Sequence, residues 1–310
     1  MCEKYICYID ILGFSNYILE NEHCDYAVDI LNNVNFVLNT RIIDQKTLFK
    51  QGFEERLNPL IERTSVDTFD DYLALSDSVF ITSNKCNLFI KQISTFLMEC
   101  FLLRADRYRN PEDENEPTRV TVMKYDLHNG EITQQSVLWY PILFRGGISF
   151  GEVIRGENYM LCDGAIKKMP NLIGKGVVRA VNLEKSGKGP HLFIDDSVEE
   201  HLSDEMKQFV WKDSKSKYVL WPVFHYIWEN EYDSVLCDFK NDLAACINLW
   251  KAYRDRQYSD HYYELVKLII QSFFMGCEVY YPSKYNSIKK EIRMCLDKMS
   301  GTGIDIDFSQ

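Results

Sequence analysis

Residues 4–12, KYICYIDIL, form an almost continuous apolar run of β-branched and aromatic side chains that carries one aspartate near its end. Such a run suits a strand buried on both faces, and Gly13 and Ser15 end it. Ala27, Ile30, Leu31, Val34, Val37 and Leu38 recur at helical spacing, which predicts a helix laid against that sheet. Tyr72–Ala74 and Val79–Thr82 flank Leu75-Ser76-Asp77-Ser78, a pattern of two short strands around a tight polar turn with Asp77 at its tip. Phe89, Ile93, Phe96, Leu97, Cys100 and Leu103 mark a second amphipathic helix, ended by an acidic, proline-containing stretch from Arg109 to Arg119 that reads as a loop.

Val120–Val137 holds Asn129-Gly130 between strand-like arms, a hairpin signal, and Pro141–Phe150 predicts a further strand. Gly174-Lys175-Gly176 opens a helix over Val177–Lys185, and His191–Ile194 supplies another strand before an expected capping box at Ser197 and Glu200. Residues 43–70 are mixed in pattern. The order strand, helix, hairpin, helix, strand fits an α+β sheet with helices on one face. Two segments are expected, a domain over 1–196 and a mainly helical C-terminal extension over 197–310, where Leu243, Cys246, Ile247 and Trp250 form one stripe.

A net charge of −11, from 35 basic and 46 acidic residues, opposes loose attachment to nucleic acid, which depends on Lys and Arg replacing counterions. A small anionic ligand would need metal ions or a local cluster of cations. The ten cysteines are scattered, mostly in apolar runs and never as CxxC, so they read as reduced thiols rather than a zinc site or disulfide framework. Glu3, Lys4 and Asp10 interrupt the N-terminal apolar stretch, and no run approaches 18 apolar residues; a cytoplasmic protein without membrane insertion is expected.

Taken alone, Asp10 at a strand end and Asp77 in a turn are more often capping or turn residues than ligands. Together, a strand tip and an adjacent hairpin tip can bring two carboxylates across a metal site. Two such ions activate a hydroxyl and neutralise triphosphate charge in one step.

The motifs YIDILGFS at 8–15, ALSDSVFI at 74–81, RGGISFGEV at 145–153 and NLIGKGVVRAVNLEKS at 171–186 resemble those of class III nucleotide cyclases, in the same order. Their wording is closest to the Pycsar-type pyrimidine cyclases of bacterial antiphage defence. The resemblance implies a ferredoxin-like βαββαβ core with an inserted β-hairpin and a C-terminal helical extension. It also implies two Mg2+ or Mn2+ ions held by the carboxylates of Asp10 and Asp77 and the backbone carbonyl of Ile11. A nucleoside triphosphate, UTP or CTP, would become its 3′,5′-cyclic monophosphate. The active site would form between two subunits of a homodimer, and the product would activate a separate effector.

In the adenylate cyclase pattern a lysine and an aspartate read adenine; here those positions fall on Leu73 and Asn171. Leucine makes no hydrogen bond, whereas Asn171 offers a donor and an acceptor, so the adenine-reading pair is absent and a purine is disfavoured. Tyr72 reads either as a base contact or as a packed strand aromatic. The family's asparagine and arginine on the final helix fall on Val178 and Asn182. Asn182 can donate a hydrogen bond, but Arg179, one residue away from the asparagine position, is turned by about 100° on a helix. Loss of a charged stabiliser costs about 3 kcal/mol in barrier. A degenerate cyclase fold, kept as a nucleotide-binding or dimerisation module, is therefore the competing reading.

Lys175 is the preferred triphosphate contact, near a helix N-terminus, while Lys167 and Lys168 read as solvated loop residues. Arg145 reads as a phosphate contact or as the partner of an acidic neighbour. His23-Cys24 reads as a loop, Asp260, His261 and Glu264 as a capping turn, and Trp221, Phe224, Tyr226 and Trp228 as core or dimer contact.

Overall fold

The computed structural model describes residues 2–20, 27–38, 68–109, 119–125, 130, 132–162, 165–213, 215–227, 232–256 and 258–298. The apolar run becomes β1 (Cys2–Ile11), followed by α1 (Phe14–Glu20) and α2 (Ala27–Leu38). The hairpin of β2 (Asp71–Leu75) and β3 (Ser78–Ser83) and the long α3 (Cys86–Arg109) stand where the periodicity predicts them. A separate two-stranded ladder, β4 (Arg119–Tyr125) with β5 (Ile132–Leu138), is inserted before β6 (Phe144–Cys162). The strand order β2-β3-β1-β6, with every neighbouring pair antiparallel, is the ferredoxin-like arrangement of a βαββαβ chain. The architecture is α+β.

Alternation along β1 divides the interior. Tyr5, Cys7, Ile9 and Ile11 join the main core with Ile30 and Val34 of α2 and Phe89, Ile93, Phe96 and Cys100 of α3. By length and composition α3 could cross a membrane, yet its apolar residues from Phe89 to Phe101 lie in this core. On the opposite face Ile6 packs with Val153 and with Val177 and Ala180 of α4 (Lys175–Glu184). Helices therefore cover both faces rather than one: α4's apolar stripe finds the side of β1 that α2 and α3 leave open. Its close seat requires Gly147, since a Cβ there would lie 2.4 Å from Leu183 Cβ and 2.6 Å from the Ala180 carbonyl.

The strand predicted to end near Phe150 continues to Cys162 and folds back as β7 (Ala165–Ile173), so Lys167 and Lys168 lie on a strand and Lys168 pairs with Glu157 at 2.9 Å. The helix start expected at Ser197 is capped by Asp195, which accepts the Val198 N–H; the Ser197 hydroxyl is taken by the Phe150 N–H at 3.0 Å. Arg109 is not loop but the last residue of α3, bound to fully buried Asp242 at 2.6 Å. Leu103 is 42% exposed. Residues 43–67, 110–118, His23-Cys24, Asn129 and Trp228 lie outside the described residues.

The sheet runs on past residue 196. β8 (Leu192–Ile194) pairs parallel to β6, and β9 (Val210–Lys212) and β10 (Lys217–Val219) extend it. Helices α5 (Tyr232–Tyr253), α6 (Ser259–Tyr280) and α7 (Tyr285–Lys298) follow, and Phe239, Leu243, Cys246, Phe273 and Trp221 belong to the main core. The seven cysteines whose side chains are described are free thiols.

Gly147→Ala is expected to lower the unfolding free energy by about 1–3 kcal/mol through overpacking, because the opposing atoms belong to a helix backbone and a Cβ; thermal denaturation measures it.

Candidate active site at the tip of the central strand

Asp10 is the penultimate residue of β1, directly opposite Ser78 in β3 and Arg145 in β6. The two-residue turn Ser76-Asp77 joins β2 to β3, with Ser76 at φ 60°. The Asp77 carbonyl accepts the Ile11 N–H at 3.0 Å, which ties the turn to the end of β1. Ser78 Oγ donates to Asp10 Oδ1 at 2.8 Å and lies 3.1 Å from the Tyr8 hydroxyl. Beyond β1 the chain turns through Gly13 at φ +77°, where a Cβ would meet the Tyr140 hydroxyl at 2.1 Å.

Burial pushes the Asp10 carboxyl up to about 6; the Ser78 bond opposes this, Asp77 and Glu184 add to it, and Arg145 opposes it. The charge of Asp77 thus reaches the Asp10 carboxyl. Arg145 is committed elsewhere, its Nε donating to Glu184 Oε1 at 2.5 Å and its Nη2 reaching the same oxygen.

Among the described residues no group of three or more His, Cys, Asp or Glu side chains forms a metal cage. The donors present are two carboxylates completed by other oxygens, which is how Mg2+ is commonly held. Three carboxylates stand against one guanidinium already paired with the third, an excess of negative charge that a hard divalent cation relieves. The residues fit such an ion.

The remaining sequence-derived residues are spread along the sheet. Leu73 lies opposite Phe80, on the same face as Tyr8 and Asp10. Tyr72, one residue away, points to the other face and packs against the main core beside Cys100, its hydroxyl pushed up to about 12 by burial. Strand alternation removes it from the open face, so the base-contact reading of Tyr72 is corrected to core packing. Asn171 on β7 lies across from Gly156, and its Oδ1 has no hydrogen-bond partner among the described residues. Lys175 is exposed at the start of α4, next to the Gly174 backbone that rests on the Glu152 carbonyl. Val178 and Asn182 face outward, whereas Arg179 donates to the Phe150 carbonyl at 3.3 Å. Asp260, His261 and Glu264 do not cap α6; they contact Lys188, Gly189 and His191.

The sequence reading missed Glu184 and Ser78. Glu184 had a signal: it continues the buried stripe Val177, Ala180, Glu184 on α4, a charge at an apolar position.

No family model and no curated protein matches the chain. Among solved structures it is similar to the guanylyl cyclase Cya2, at 15% identity over 70% of this chain and 89% of that chain, with a TM-score of 0.37. It is similar also to adenylate cyclases from Trypanosoma brucei in their monomeric state, at 15% identity, 70% and 86% coverage and a TM-score of 0.39. A third is the non-canonical dimeric guanylyl cyclase domain of the RhoGC fusion protein from the aquatic fungus Blastocladiella emersonii, at 14% identity, 70% and 96% coverage and a TM-score of 0.33. At such scores the fold assignment rests on this chain's own strand order.

The elevated Asp10 pKa makes a pH prediction for the metal-free protein. The folded carboxyl keeps its proton up to about pH 6, while in the unfolded chain it ionises near about 3.9. The folded state binds more protons between these values, so stability falls as pH rises through that window. Asp10→Asn is expected to flatten this part of the melting-temperature profile, and Mn2+ at neutral pH to raise the wild-type melting temperature but not the variant's.

Proposed function

We propose that the chain is a metal-dependent nucleotide cyclase converting a nucleoside triphosphate, UTP or CTP, to its 3′,5′-cyclic monophosphate. The observation that carries this reading is the meeting of Asp10 and Asp77 at the tip of the central strand, in surplus negative charge, within a ferredoxin-like sheet. Two divalent ions held there through these carboxylates and the Ile11 carbonyl would activate the ribose hydroxyl and neutralise the triphosphate. In the reaction the 3′-hydroxyl oxygen bonds to the α-phosphorus, the bond from that phosphorus to the bridging oxygen breaks, and pyrophosphate leaves. The hydroxyl proton passes to solvent.

Geometry supports a site shared between two copies. Lys175 lies beside Glu152, which is opposite Glu3. Asp10 lies seven residue steps along the strand from Glu3, about 23 Å at about 3.3 Å per residue. One triphosphate cannot span that gap, so Lys175 and Asn171 would serve the Asp10 of a partner subunit. Ile154, Ile173 and Val178 are exposed and offer apolar area for a second copy.

In this reading Lys175 and the first turn of α4 take the phosphates, Asn182 contacts the sugar or phosphate, and Leu73 with Asn171 faces a pyrimidine. Residues 1–196 carry these groups, with 197–310 as a bracing extension. The protein would act in the cytoplasm, supplying a cyclic nucleotide to a separate antiphage effector. The competing reading, a nucleotide-binding or dimerisation module without catalysis, draws on exposed Val178 at the asparagine position and on the bond from Arg179 to the Phe150 carbonyl.

Incubation with each of the four ribonucleoside triphosphates and Mn2+ or Mg2+, read by mass spectrometry, is expected to give cyclic UMP or cyclic CMP. Asp77→Ala is expected to abolish it. Cyclic purine products alone would overturn the pyrimidine assignment, and no product from any triphosphate would favour the module.

A further inference from the structure

Asp10 and Arg145 are cross-strand partners at the tip of the sheet. Directly opposed antiparallel residues hold their Cβ atoms about 4.5–5.5 Å apart, within reach of a two-point guanidinium–carboxylate pair. Arg145 instead gives Nε and Nη2 to Glu184 Oε1. Glu184 is the last residue of α4, its side chain is 8% exposed, and it occupies the stripe otherwise filled by Val177 and Ala180. A carboxylate buried in such a place is costly unless paired.

The segment after α4 is fixed as well. Lys188 pairs with Asp260, the Gly189 N–H donates to His261 Nδ1 at 2.8 Å, and His191 Nε2 lies 3.5 Å from Glu264 Oε2. Gly189, at φ +85°, sits so close to α6 that a Cβ would lie 2.4 Å from Glu264 Cβ. The first turns of α6 therefore brace the end of α4, which keeps Glu184 over Arg145.

We infer that Glu184 is a positioning residue for the divalent-cation site: by engaging the guanidinium of Arg145 it leaves Asp10 open to metal instead of closed in an internal ion pair. This rests on the metal-dependent reading of the site. Without the Glu184 charge, Arg145 turns to the carboxylate opposite it, and a metal ion must displace a guanidinium to bind. A pair that merely fastens α4 to the sheet would behave otherwise, since losing either half would remove the same fastening.

The test is Mn2+ binding to the full chain without nucleotide, followed by electron paramagnetic resonance of the free ion, with melting temperature recorded in parallel. Asp10→Asn identifies the Asp10-dependent binding. Glu184→Gln is expected to weaken it by about tenfold or more, as expected when a cation is placed against the ligand. Adding Arg145→Gln to Glu184→Gln is expected to restore wild-type affinity while leaving the melting temperature low. A double variant that binds as weakly as Glu184→Gln, or a Glu184→Gln protein that binds normally, overturns the inference while the metal reading stands. Wild-type protein without Asp10-dependent binding overturns both. Should Glu184→Gln fail to fold, Glu184→Asp is read in its place: weaker binding that Arg145→Gln relieves supports the inference, and unchanged binding overturns it.

Discussion

Crowding of like charge at the tip of the central strand is the constraint around which the rest of the molecule is arranged. Asp77 and Glu184 both stand close enough to act on Asp10, with Arg145 as the counter-charge. In a half-buried setting such a group is held only by structure that leaves it no retreat. The Ile11 bond to the Asp77 carbonyl fixes the hairpin against β1, Ser78 fixes the Asp10 carboxylate, and α4 brings Glu184 to the guanidinium. Each contact draws on a different element, so the site exists only once the sheet and α4 are assembled.

The parts of this arrangement written in local periodicity were legible in the sequence. The apolar run of β1, the polar turn at Ser76-Asp77 and the stripes of α2 and α3 each declare themselves within a dozen residues. What escaped depends on distance along the chain or on parity. Arg145 and Glu184 are 39 positions apart, and nothing local to either names the other. Tyr72 and Leu73 differ by one step, and strand alternation alone sends one inward and the other to the open face. The β6–β7 hairpin was hidden because Tyr159, Leu161 and Ile166 are exposed, so its arms lack a buried face to give a regular alternation. Strands β9 and β10, three residues each, are too short to show any period.

The same limits explain the reading of the C-terminal region. Its helical stripes are evident, but which surface they cover is not. Asp242, fully buried on α5, takes Arg109 at the end of α3 and the Tyr226 hydroxyl at 3.1 Å, while Phe239 and Phe273 stack with ring centroids 3.9 Å apart. An acid and an arginine separated by 133 positions make the joint between the two parts of the chain.

That joint bears on how the chain is made. A ribosome releases the strand-rich portion first, yet the main core also requires Phe239, Leu243 and Phe273, which are among the later residues synthesised. Until they emerge, the flank of α3 that they cover stays exposed to water. Closure of the interior beneath the acidic tip therefore waits on residues of α5 and α6, more than 200 positions along the chain from β1.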